Sequence, residues 1–71
     1  MKDFRGKELK EGDIVVFFEC TSTRAGRLIE AQVVGSCKRG GYDCVEMKVL
    51  SGRQYDIGDI EVRAEHNVAK L

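Results

Sequence analysis

Apolar and polar residues alternate along most of this chain with the two-residue period of a half-buried strand. Leu28 to Val34 sets Ile29, Ala31 and Val33 on one side and Glu30 and Gln32 on the other. Tyr42 to Leu50 repeats the pattern, with Val45, Met47 and Val49 inward and Cys44, Glu46 and Lys48 outward. Gln54 to Ile57 reads as a short strand, and Ile60 to Ala64 as a last one with Ile60, Val62 and Ala64 inside. The run Ile14-Val15-Val16-Phe17-Phe18 departs from the rule, being apolar on both faces. Val15 and Phe17 are expected to point outward. There they lie under the N-terminal segment (Phe4, Leu9) or the C-terminal tail (Val68, Leu71), or they form an interface with another molecule.

Turn residues separate these runs. Glu11-Gly12-Asp13, Ser51-Gly52-Arg53 and Gly58-Asp59 carry the glycines and acids that tight turns favour, and the chain has no proline. The pattern Gly-Asp-Ile-x-Val occurs at Gly12 and again at Gly58. It reads as two strand starts in which the Asp accepts bonds from nearby backbone amides, with a duplicated binding site as the alternative. Helical periodicity is confined to Asp3–Lys10 and Glu65–Leu71, each long enough for a turn or two. Five strands at this spacing predict an all-β, five-stranded small barrel, in which closure removes exposed sheet edges. One domain spans residues 1–71, with a core over about residues 9–64, an N-terminal segment 1–8 and a tail 65–71.

A chain of 71 residues buries only roughly 60% of the surface its unfolded form exposes, which leaves little material for the walls of a catalytic cleft. Twelve basic and twelve acidic residues cancel, so the broad positive field of a general polyanion binder is absent. The charge is uneven, however. Residues 21–53 hold six basic and three acidic side chains, and residues 54–71 hold two basic and four acidic. Such a dipole favours a charge-complementary protein partner or self-association. Three cysteines, Cys20, Cys37 and Cys44, are an odd count without a signal-type opening, which points to free thiols in a reducing cytoplasm. No apolar run reaches the ~20 residues that a membrane-spanning helix needs, so no membrane is expected among the partners.

Candidate chemistry is sparse. Cys37 and Cys44 lack the tight spacing of a structural zinc pair, and the single histidine, His66, lies in the polar tail. No phosphate loop or nucleophile elbow is present. The expectation is therefore no enzyme, no metal and no cofactor, with Cys37 a plain surface thiol beside Lys38 and Arg39. The basic loops are more informative. Residues 21–27 carry Arg24 and Arg27, residues 38–42 carry Lys38, Arg39 and Tyr42, and Arg53 and Tyr55 follow the next strand. If the first and third loops converge, Arg24, Arg27, Arg53 and Tyr42 or Tyr55 can grip phosphate and stack on a base; the alternative is that the basic loops meet an acidic patch on a protein. The plainer reading is charge placed on turns for solubility.

The order Gly12-Asp13-Ile14-Val15-Val16-Phe17, a loop, Gly26-Arg27-Leu28-Ile29-Glu30-Ala31-Gln32-Val33-Val34 and Tyr42 to Gly52 resembles an SH3-like barrel of Tudor/KOW type over about residues 9–64. That resemblance implies a one-turn 3₁₀ element between the last two strands, here at Ile57-Gly58-Asp59. The Tudor-type aromatic cage for a methylated cation is not implied, because aliphatic Leu28 and Ile29 stand where the cage aromatics are found. The opening Asp3-Phe4-Arg5-Gly6-Lys7-Glu8-Leu9-Lys10-Glu11-Gly12-Asp13-Ile14-Val15 is similar to that of short proteins encoded by bacteriophages. This implies an accessory role in bacterial cytoplasm. Together these readings predict a non-enzymatic binding protein that contacts a host protein or assembly. The alternatives are a small nucleic-acid-binding module using loops 21–27 and 38–42, and an obligate homo-oligomer joined through Val15 and Phe17.

Overall fold

The computed structural model describes residues 1–20, 26–51 and 57–71, with only the backbone given for Glu19 and Cys20. Five strands form one antiparallel sheet: β1 (Ile14–Cys20), β2 (Gly26–Arg39), β3 (Tyr42–Val49), β4 (Ile60–Ala64) and β5 (Val68–Lys70). A single 3₁₀ turn, Glu65–Asn67, joins β4 to β5. The sheet order is β4-β3-β2-β1-β5, so the last strand returns to the far edge beside the first. The fold is all-β, as the periodicity predicts. None of the described helical residues forms a helix long and apolar enough to cross a membrane.

The sheet is strongly curled. The Arg63 guanidinium on β4 lies 4.8 Å from the centre of the Phe17 ring on β1, although β3 and β2 stand between those strands. Strand β2 makes this curl possible. It runs for 14 residues and carries a bulge at Val34, between the pairs Val33↔Met47 and Gly35↔Glu46. An extra residue on one strand bends it and increases its twist, so β2 serves both halves of the sheet. The enclosed core comprises Val15, Phe17, Ile29, Ala31, Val33, Val45, Met47, Val49, Leu9 and Val68.

Several sequence expectations are corrected here. Val15 and Phe17 are 0% and 1% exposed and form no surface. Their register, Val15↔Ala31 and Phe17↔Ile29, puts them on the inner face with the β2 core residues. On β4 the faces are also reversed. Ile60 and Val62 sit opposite Lys48 and Glu46, whereas Glu61 and Arg63 sit opposite Met47 and Val45. Glu61 and Arg63 can turn inward because they stand at the rim, where Arg63 lays its stem over Phe17 and reaches Glu61 at 3.4 Å. Cys44, expected outward, is buried. The 3₁₀ turn lies at 65–67 rather than 57–59, and the expected tail supplies β5. Of the short strand expected at 54–57, all but Ile57 falls outside the described residues.

The N-terminal segment fastens this arrangement. Asp3 is only 4% exposed, a costly place for a carboxylate unless donors meet both oxygens. They do: Oδ1 accepts from the amides of Arg5 and Lys7, each at 2.9 Å, and Oδ2 accepts from the Lys70 amide on β5 at 3.0 Å. Gly6, at φ 81°, makes the turn around Asp3 and donates to its carbonyl. The Phe4 amide then donates to the Val68 carbonyl at 2.8 Å. Segment 1–8 thus satisfies two outward groups of edge strand β5 that would otherwise invite another strand. Asp13 repeats the device, accepting from the Lys10 amide at 2.9 Å and lying 3.5 Å from the Lys70 ammonium.

These bonds set a pH dependence. The Lys70 amide is the strongest influence holding the Asp3 carboxyl below its ordinary value of 3.8; burial opposes it, and the amides of Lys7 and Arg5 add to it. The Lys10 amide likewise depresses Asp13, against burial and with the Lys70 ammonium assisting. A depressed folded-state value means that the unfolded chain takes up protons first as pH falls. The stabilisation is therefore complete above about pH 5 and is lost progressively as pH falls through 3.8 and then through the folded-state values below it. Urea unfolding followed between pH 2 and 7 is expected to show this acid limb. Asp3→Asn should lower the midpoint at neutral pH and shrink the limb, leaving the part due to Asp13.

Candidate functional site

With Val15 and Phe17 inside, the outer face of β1 carries Ile14, Val16 and Phe18. Phe18 is paired with Leu28 and Val16 stands beside Ala69 of β5. This face is not covered: Phe18 is 60% exposed, Leu28 68% and Phe4 56%. A groove of about 420 Å³ runs between this patch and the 3₁₀ turn. Val16, Phe18, Leu28, Ala69 and Phe4 supply its apolar wall, and Arg63, His66 and Asn67 supply its polar side. None of the described residues lining it is acidic.

Each wall has a local cause. The Phe18 ring rests on the backbone of Gly26, at a spot that any β-carbon would occupy, so the glycine lets the ring lie flat along β2. Phe4 is positioned by its bond to Val68 and by the Asp3 turn. The Arg5 guanidinium lies 5.4 Å from the centre of the Phe4 ring and adds a cation beside the groove. Arg63 is held by the Phe17 ring, by the Val62 carbonyl at 2.9 Å and by Glu61, so its guanidinium has a fixed place at the groove edge. His66, on the 3₁₀ turn, meets the Tyr42 ring edge-on at 5.7 Å between centres.

Of the sequence-predicted binding residues, Arg27, Lys38, Arg39 and Tyr42 are described. Arg24, Arg53 and Tyr55 lie outside the described residues. Arg27 stands near the start of β2, and Lys38 and Arg39 stand at its end, with Tyr42 across the Gly40-Gly41 turn. A strand of 14 residues separates these basic groups. Lys38 is also paired with Asp43 at 3.8 Å, which reduces its pull on an incoming phosphate. Among the described residues, no group of three or more His, Cys, Asp or Glu side chains is placed to hold a metal. Sequence reasoning missed Phe18 and Leu28. Their signal was the doubly apolar run at 14–18, read with its faces exchanged.

Arg63→Ala is expected to cost about 0.5–2 kcal/mol through loss of the cation–π contact over Phe17. Arg63→Lys should cost less, because the stem and the charge remain. Chemical denaturation of the two variants checks the ranking.

Residues 1–49 match a domain of unknown function, DUF7205, and the chain belongs to that family. No curated protein and no solved structure matches it. The matched stretch contains the Asp3 turn, β1, β2 and β3, and hence Phe4, Val16, Phe18 and Leu28. Arg63, His66, Asn67 and Ala69 come from the remainder.

Proposed function

We propose that this domain is a non-enzymatic binding protein that takes an apolar, acidic segment of a partner protein into the groove between β1 and the 3₁₀ turn. The observation that carries this reading is the pairing of Phe18 and Leu28 as exposed neighbours on one wall, with Arg63 and His66 opposite and no acid among the described lining residues. Burying two large apolar side chains of the domain against a partner is worth about 1.5–3 kcal/mol each, the scale of an interface anchor. Carboxylates on the same segment would meet His66 and an Arg63 whose charge Glu61 already offsets in part at 3.4 Å, and so set its direction. The likeness of residues 3–15 to the opening of phage-encoded proteins supports a host protein in bacterial cytoplasm as the partner, with this chain as an accessory factor.

Peptide display against the folded domain tests the reading. Enriched segments are expected to combine bulky apolar residues with Asp or Glu, and to lose binding at least tenfold when the domain carries Phe18→Ser and Leu28→Ser. Both positions are exposed, so the double variant should keep the wild-type melting temperature. Enrichment without acidic residues, or binding indifferent to the double variant, contradicts the proposal. Salt-sensitive binding of single-stranded DNA that Arg24→Ala with Arg27→Ala abolishes would favour the nucleic-acid module instead.

A further inference from the structure

We infer that Cys37 and Cys44 form a reversible dithiol–disulfide couple. They are direct cross-strand partners in the β2–β3 ladder, both are free thiols, and both line one pocket of about 220 Å³ together with Met1, Ser36, Asp43 and Glu65. Their spacing follows from the hairpin. Gly40 and Gly41, at φ 57° and 83°, form the two-residue turn whose both central residues have positive φ. The closing pair Arg39↔Tyr42 is then hydrogen-bonded. The alternation of an antiparallel ladder makes Cys37↔Cys44, two pairs further on, hydrogen-bonded too, with α-carbons about 5.5 Å apart. The α-carbons lie inside the span of a disulfide, but the β-carbons of a hydrogen-bonded pair stand farther apart than a relaxed bridge holds them, so the strands must close slightly and the bond formed is strained and readily reduced.

The two thiols differ in access. Cys37 is half-buried, whereas Cys44 is 6% exposed with its Sγ 3.6 Å from the Tyr42 carbonyl. This asymmetry assigns the order of events with a small-molecule disulfide as oxidant. The Cys37 thiolate attacks one sulfur of the oxidant and expels the first small thiolate, leaving a mixed disulfide on Cys37. The Cys44 thiolate then attacks Cys37 Sγ and expels the second. Two electrons pass from the protein dithiol to the oxidant, and the two cysteine protons end on the two released thiols. Reduction by excess small thiol runs the same steps backwards. The bridge closes a loop of eight residues, Cys37 to Cys44, so the strain of the bond offsets part of its chain-entropy gain, and it acts on the hairpin itself.

The test uses Cys20→Ser protein, which leaves only this pair, equilibrated with oxidised and reduced glutathione at set ratios, then quenched by alkylation and weighed intact. The expected result is joint loss of both alkylation sites in one step, without a dimer and without a stable glutathione adduct. Cys37→Ser in the same background should stay alkylatable at Cys44, and Cys44→Ser should accumulate the mixed disulfide on Cys37. Thermal melting of each variant confirms that it is folded. Two sites that remain alkylatable in fully oxidised buffer, or an adduct persisting on Cys37 while Cys44 is present, would overturn the couple.

Discussion

A carboxylate withdrawn from water is tolerable only where donors surround it, and Asp3 obtains its third donor from the opposite end of the chain. Its oxygens accept from Arg5, Lys7 and, 67 residues away, Lys70. That last bond, with Phe4 donating to Val68, holds the N-terminal segment against β5 and β5 against β1. Three residues are a short strand, and a free edge of this kind frays readily. The fold therefore depends on one buried charge to hold its last strand. Val68 closes the core over Phe17, and Phe4 and Ala69 build one wall of the groove, so the candidate site depends on the same contact.

Much of the fold was legible in the sequence because a sheet with one buried face writes its period directly into the residues. Ile29, Ala31 and Val33, and Val45, Met47 and Val49, are buried as their alternation predicts. The pattern failed where both faces are apolar or where a charge turns inward. In β1, Val15 and Phe17 compete with Ile14, Val16 and Phe18, and only the register with β2 decides between the two sets. In β4, Arg63 faces in by spreading over Phe17, a contact between residues 46 positions apart that no local pattern encodes. The tail was unreadable as a strand for the same reason. Val68-Ala69-Lys70 has little intrinsic signal, and its strand geometry comes from β1 on one side and the Asp3 turn on the other.

The opening stretch, residues 3–15, acquires a physical meaning from these contacts. Asp3 and Gly6 form the turn that meets Lys70, Leu9 enters the core, and Gly12 (φ 94°) with Asp13 turns the chain into β1. Spacing that looked like a signature is the outline of a clasp. The groove and the cysteine pair stand on surfaces that the clasp borders, through Phe4 at one and Met1 at the other. The basic hairpin does not join the groove except through Tyr42, whose ring abuts His66. The proposed contact with a partner would use this apolar wall and the Arg63 edge beside it.

The most direct measurement of the clasp is amide hydrogen exchange in the wild-type chain and in Asp3→Asn, read residue by residue. The account predicts that the Lys70 amide, and with it the β1–β5 ladder at Val16↔Ala69, loses protection in the variant, while the β2–β3 amides from Ala31 to Val49 keep theirs relative to the global unfolding limit. Unchanged protection at Lys70 in the variant would contradict the claim that the Asp3 carboxylate holds the last strand in place.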